Sequence, residues 1–259
     1  MVRIITFASG KGGVGKTTIG ANLGIALKQM NEKVLLIDAD VTMANLSLIL
    51  GMESSPITIN DVLRGEANIE DVIYKGPGGV DIIPASLSLQ NFQALDLSKI
   101  PQIVKKLSYN YDFIILDCAA GVGEDTLSAM AAATEVFLVI NPYSLSIADA
   151  LKTKIIAQKI NAKPVGIIVN MVGHYRGEIK EEDIIKMMEL PSYGVIPFDE
   201  IVRENFYYKQ IVPIIIKTPN TPASIAIKNV AQRLLGKEVI IKQEKKGFFS
   251  WLRGIFGKN

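Results

Sequence analysis

The stretch Gly10-Lys11-Gly12-Gly13-Val14-Gly15-Lys16-Thr17-Thr18 follows the apolar run 2–8 and opens a segment of helical character, 17–30. Its spacing is G-x-x-x-x-G-K-[ST], the pattern of a phosphate-binding loop, in the strand–loop–helix setting that the pattern requires. Glycines let backbone N–H groups turn inward around phosphate oxygens, and the helix N-terminus behind them adds a favourable dipole. Lys16 is placed to reach the β- and γ-phosphates of a bound nucleotide, and the Thr17 hydroxyl to ligate Mg²⁺. Gly10 to Thr18 is therefore the expected nucleotide-binding loop. One residue is surplus to it: Lys11, a second lysine where one suffices.

Outward from the loop, Ile- and Val-rich runs recur at 33–38, 80–84, 113–117, 136–140, 165–170 and 194–197. Most lack polar alternation, which marks strands buried on both faces. Helix-length segments at 99–107, 125–132, 146–159, 181–188 and 224–235 lie between them. Such alternation predicts an α/β fold with a doubly wound, mainly parallel sheet flanked by helices. Residues 1–236 read as one P-loop domain, closed by a helix that stops at Gly236. Residues 237–259 read as a separate tail, with a short strand expected at 238–241.

Of the 259 residues, 49% are hydrophobic and 21% charged, enough for a large core. The net charge of +2 hides an asymmetry: the tail carries six Lys or Arg against two Asp or Glu, and the body is mildly acidic. An acidic body argues against broad nucleic-acid binding. A single cysteine, Cys118, excludes an internal disulfide or a Cys-rich metal site; it reads as a small buried apolar residue. The opening MVRIITFASG reads as a buried strand and not a secretory leader, so a cytoplasmic protein is expected. His174 sits in a polar loop and reads as a surface residue, and Phe206-Tyr207-Tyr208 reads as helix-end packing, with a partner surface as the second reading.

Two apolar runs end in carboxylates: 33–38 continues as Ile37-Asp38-Ala39-Asp40, and 113–117 ends in Asp117. Open parallel sheets bind ligands where their strands end, so all three carboxylates should face the loop. Asp38 and Asp117 are assigned to magnesium and its waters. Asp40, farther along its loop, is assigned to orienting the attacking water.

With these residues in view, the chain resembles the deviant Walker ATPases of the MinD/ParA family, and within it the MinD type. KGGVGKT, IDAD, ILDCAAG, VINPYSLSIADA, IIVNMV and YGVIPFDE carry the resemblance almost end to end. It implies an ATPase using ATP, ADP and Mg²⁺, slow and switch-like, that forms a homodimer with ATP. It also gives Lys11 a role: crossing the dimer interface to the phosphates held by the other copy, so that Lys11, Lys16 and Asp40 form the catalytic set. Asn170 matches the position whose amide reads the base, and Pro197, Phe198 and Asp199 the segment that wraps it. The chain departs from the family at Asp117-Cys118-Ala119-Ala120-Gly121, where a proline is usual; its loss loosens the turn.

The tail ends in KKGFFSWLRGIFGKN. On a helix, Phe248, Phe249, Trp251, Leu252, Ile255 and Phe256 fall within an arc of roughly 160°, flanked by lysines. That is the pattern of a helix lying in an anionic membrane surface, and it resembles the membrane-targeting tail of the MinD type. The expected function is therefore an ATP-dependent, dimerising, membrane-cycling ATPase that positions division or other cellular structures. It would be peripherally membrane-associated with ATP and answer to an activating or cargo protein. The alternative is a ParA-like DNA-partitioning ATPase, which the acidic body and aromatic tail disfavour.

Overall fold

The computed structural model describes residues 1–87, 95–208 and 211–237. The six tail residues assigned to the membrane, and the strand expected at 238–241, lie outside them.

The strands are β1 (Arg3–Ala8), β2 (Val34–Asp38), β3 (Tyr74–Lys75), β4 (Asp81–Ile83), β5 (Phe113–Asp117), β6 (Glu135–Ile140), β7 (Pro164–Val172) and β8 (Ser192–Pro197). They form one sheet in the order β3-β4-β2-β5-β1-β6-β7-β8. Every pairing is parallel except β3 with β4. The helices are α1 (Lys16–Gln29), α2 (Asn45–Ile49), α3 (Ile59–Arg64), α4 (Ile100–Leu107), α5 (Glu124–Ala132), α6 (Ser144–Lys159), α7 (Glu181–Met188), α8 (Glu200–Asn205), α9 (Ile214–Lys217) and α10 (Pro222–Leu234). The doubly wound expectation holds. The expected strands and long helices lie within two residues of their observed bounds.

The core has two sides because alternate strand residues face opposite layers. From β1, Ile5 and Phe7 pack with Ile19, Leu23 and Leu27 of α1 and with Ile227 and Val230 of α10. Ile4, from the same strand, joins Ile37, Ile114 and the apolar stripe of α4, Ile100, Val104 and Leu107. Ala8 joins β6, α6 and α7 in a third cluster. β2 and β5 are buried throughout, which explains their unbroken apolar sequence.

Sequence reading missed β3, which at two residues has no period to read, and gave no range for the short helices α2, α3, α8 and α9. α3 nonetheless carries its own local code. The side chain of Asp61 accepts from Thr58 N at 2.6 Å, completing a capping box, and Gly65 ends the helix in left-handed backbone at φ 80°.

Arg3 ties the two ends of the domain together. Its guanidinium makes a forked ion pair with Glu135, at 2.7 and 2.6 Å, and donates to Leu234 O at the end of α10. The last turn of α10 is thereby held at the amino edge of the sheet, where β1 begins.

Candidate functional site

β1 is the central strand at which the chain switches direction across the sheet, between β5 and β6. A crevice opens at the carboxyl edge there, and the 10–18 loop fills its floor. Two glycines are required by contact. A Cβ on Gly10 would lie 2.5 Å from Asp149 Cβ and 2.9 Å from its carbonyl oxygen, so only glycine lets the loop lie against α6. Gly15 adopts φ 100°, and a Cβ there would lie 2.3 Å from Asn170 Nδ2. No acidic side chain occupies the first turn of α1, so its N–H groups and dipole are left to an anion.

Lys16 is 6% exposed and donates from Nζ to Ser9 Oγ at 3.1 Å. Ser9 Oγ in turn donates to Lys11 O at 2.7 Å, so one small hydroxyl braces both lysines' segments. Lys11 itself points outward: its side chain is half exposed, and Nζ lies 3.1 Å from Asp149 Oδ2. A groove of about 610 Å³ runs over Gly13, Lys16 and Thr17 and past Asp40 and Ala119.

The three carboxylates prove to differ. Asp38 is fully buried, and its Oδ2 accepts from Ser47 N at 2.8 Å and from Ser47 Oγ at 2.7 Å. It therefore anchors α2 while its Oδ1, among the described residues, has no hydrogen bond. Burial first, and then the Asp117 charge beside it, push its carboxyl well above the usual range. Asp117 is also buried, and neither of its oxygens accepts a hydrogen bond among the described residues. Burial raises its carboxyl to about 7, with the Thr17 hydroxyl and the Lys16 ammonium pulling it down. A buried carboxylate left without donors, beside a threonine hydroxyl, is the donor set Mg²⁺ prefers, and the residues fit that ion. Asp40, 7% exposed, accepts at Oδ1 from Thr42 Oγ at 3.0 Å and Met43 N at 3.1 Å, which fixes it on the groove wall.

A second cavity of about 280 Å³ adjoins the loop at Gly15, walled by Asn170, Pro197, Phe198 and Phe206. All four residues assigned to the base from sequence border it. Two are already engaged. Asn170 Nδ2 donates to Val14 O at 2.7 Å, clamping the phosphate loop. The Asp199 carboxylate caps two helices, accepting from Ile201 N at 3.1 Å and Ala223 N at 3.2 Å. Asp199 therefore shapes the cavity by holding the starts of α8 and α10.

Cys118 is 2% exposed, and its thiol donates to Phe7 O at 3.2 Å; burial pushes the thiol up to about 12, so it is inert packing. His174 is exposed as expected, with its ring stacked on Phe198 at 3.8 Å. The 206–208 run differs from expectation. Phe206, Tyr207 and Tyr208 are 48%, 83% and 55% exposed, because α8 ends at Asn205 before it can fold them inward. Sequence reading also passed over Ser9, Ser47 and Asp149, whose roles depend on contacts distant along the chain.

Residues 2–163 match a family of AAA domains. The chain is 41% identical to an ATP-binding protein of Methanocaldococcus jannaschii, over 100% of this chain and 98% of that one. Among solved structures, the septum site-determining protein MinD of Pyrococcus horikoshii, complexed with Mg-ADP, superposes with a TM-score of 0.85 at 38% identity, covering 90% of this chain and 96% of the other. The chain belongs to the MinD/ParA family of ATPases. MinD of Aquifex aeolicus, solved as a MinC:MinD complex, gives a TM-score of 0.82 at 33% identity, covering 93% and 99%.

Proposed function

We propose that this MinD/ParA-family ATPase couples ATP binding to pairing of two copies, and pairing to residence on an anionic membrane, with hydrolysis ending both. The observation that carries this reading is the outward-facing Lys11, on a loop whose phosphate-binding needs Lys16 already meets. Half exposed beside the loop, Lys11 is open to a second copy once it leaves its ion pair with Asp149. Because it would touch phosphate, pairing would depend on the bound nucleotide.

Within one copy, the backbone of 10–18 and Lys16 bind the phosphates, and the cavity beside Gly15 takes the base. Thr17 and Asp117 would hold Mg²⁺, which spreads the charge developing on the phosphates. Asp38 positions α2, and through it the segment that carries Asp40. Asp40 orients the attacking water, and Lys11 of the second copy adds the last positive charge.

Membrane attachment then needs no direct contact between nucleotide and tail. Arg3 holds the end of α10 at the amino edge of the sheet, a strand's length of ~20 Å from the phosphate loop. A short tail forms little helix in water and binds lipid weakly. Two tails on one dimer act at high effective concentration, which strengthens binding by orders of magnitude. Among the described residues no helix is long and apolar enough to cross a membrane. The Aquifex MinD was solved with a protein partner, and a regulator docking on the dimer is the corresponding expectation here.

The test is sedimentation with anionic vesicles, using the full chain and a chain ended after Lys237. The full chain should pellet with ATP and not with ADP, and the shortened chain with neither. Equal pelleting of the full chain in both nucleotides would break the coupling. Retention on DNA with ATP, without pelleting on vesicles, would favour the partitioning alternative. Asp40→Ala should retain ATP and lose turnover.

A further inference from the structure

The edge of the nucleotide crevice contains one residue whose backbone conformation only its neighbours can explain. The β7–β8 pairing slips register between Asn170 and Val172. The residue between them, Met171, stands in left-handed backbone at φ 60°. Side chains other than glycine, asparagine and aspartate rarely adopt that region, and it persists only where surrounding contacts impose it.

Both neighbours supply those contacts. Asn170 is fixed twice, by its Nδ2 to Val14 O at 2.7 Å and by its carbonyl, which accepts from Asn141 Nδ2 at 3.1 Å. On the other side, Val172 O accepts from Phe198 N at 2.8 Å. One anchor ties the bulge to the phosphate loop and the other ties it to the aromatic wall of the base cavity. The extra residue between them is pushed out of the ladder, and Met171 is left 36% exposed.

Its position is singular among the described residues. Met171 borders the base cavity, the phosphate groove, and a third cavity of about 520 Å³ that reaches Tyr143, His174 and Arg176. A nucleotide with phosphates over Gly15 and its base against Phe198 must cross this ridge at the sugar. A bulge at such a place re-aims a side chain toward the ligand, and an unbranched thioether adapts well to the edge of a ring.

We propose that Met171 is a positioning residue for the nucleoside half of ATP, forming an apolar ridge against the sugar and the inner edge of the base. This rests on the nucleotide reading above. Met171 offers no hydrogen bond, so it sets how tightly and in what orientation the nucleoside lies, not which base is chosen.

The test uses the full chain, calorimetric titration with Mg-ADP and with Mg-tripolyphosphate, and thermal melts without nucleotide. Met171→Ala should weaken ADP by about tenfold, the effect of exposing most of a buried apolar side chain. Tripolyphosphate, which has no nucleoside, should bind within about twofold of the parent. Met171→Leu should recover most of the ADP affinity. Met171→Gly should melt at a higher temperature than Met171→Ala, since glycine suits φ 60°, and yet share the alanine binding defect. Unchanged ADP affinity in Met171→Ala would overturn the proposal. So would equal losses for ADP and tripolyphosphate, which would mean the ridge acts only through the phosphate loop. An effect confined to ATP-dependent pairing, with ADP untouched, would reassign Met171 to contact with the second copy. A parent protein that binds tripolyphosphate but not ADP would remove this proposal and the base cavity while leaving the phosphate loop; one that binds neither would remove the nucleotide reading as well.

Discussion

Lys11 Nζ lies 3.1 Å from Asp149 Oδ2, so the surplus lysine of the phosphate loop is paired within its own chain. Among the described residues that oxygen has no hydrogen bond, and Lys152 approaches the other carboxylate oxygen only at 3.8 Å. Reaching a second copy therefore requires Lys11 to leave Asp149. Ion pairs this exposed contribute roughly 0.2–1 kcal/mol. Two such pairs open per dimer, so Asp149→Asn should tighten pairing with a non-hydrolysable ATP analogue by no more than about thirtyfold. Size exclusion with light scattering over a concentration series reads the shift; weaker pairing would show that Asp149 serves the dimer instead.

Asp117 sets a pH dependence. Its carboxyl is raised to about 7 by burial, whereas in the unfolded chain it would titrate in the ordinary carboxylate range. The folded chain thus binds the extra proton between these values, and its stability falls as pH rises through that window. Asp117→Asn removes a buried charge whose burial outweighs the help of Thr17 and Lys16. The variant should be more stable than the parent at pH 8 by on the order of a few kcal/mol, with the gain shrinking toward pH 4. Urea unfolding without nucleotide or metal checks this. ATP hydrolysis by the same variant should be lost.

Ser47 joins three elements through one hydroxyl, which donates to Asp38 at 2.7 Å and accepts from Ala85 N at 2.9 Å. Ser47→Ala leaves a buried carboxylate and a backbone N–H each short of a partner. A loss of about 1–3 kcal/mol is expected. Turnover should fall more than ATP affinity, because α2 carries the approach to Asp40 while the phosphate loop is untouched. Equal falls in both would place Ser47's effect in the loop.

Arg3→Ala should free the last turn of α10 and leave Glu135 half-buried without its partner. The expected cost is roughly 1–3 kcal/mol, with faster amide exchange confined to residues near 234. Nucleotide affinity should be unchanged, since the contact lies at the opposite edge of the sheet.

What could be read from sequence was what is encoded locally. The phosphate loop announces itself by glycine spacing, and Asp38 and Asp117 by apolar runs that terminate in carboxylates. Those runs place the residues at the carboxyl edge before any contact is known. The division of labour between the two was not legible. Only the approach of Ser47, on a helix too short to show a period, gives Asp38 the added task of holding α2. Asp149 was invisible for a similar reason: on α6 it looks like any partly exposed carboxylate, and only its fit against Gly10 and Lys11 distinguishes it. The bulge at Met171 leaves no trace in the run Ile168-Val169-Asn170-Met171-Val172, because its cause lies in contacts with Val14 and Phe198. The 206–208 aromatics misled because aromatic residues usually mean packing, and here the helix stops short of them.

The two-residue strand β3, antiparallel to its neighbour and tied by the Lys75–Asp81 ion pair, terminates one margin of the sheet. A margin so short and charged offers an incoming chain almost nothing to zip onto, and the opposite margin stops at Pro197 in β8, which lacks a donor there. Uncontrolled stacking of sheets into fibres is thereby discouraged at both flanks. High local concentration of the folded chain then need not carry an amyloid hazard.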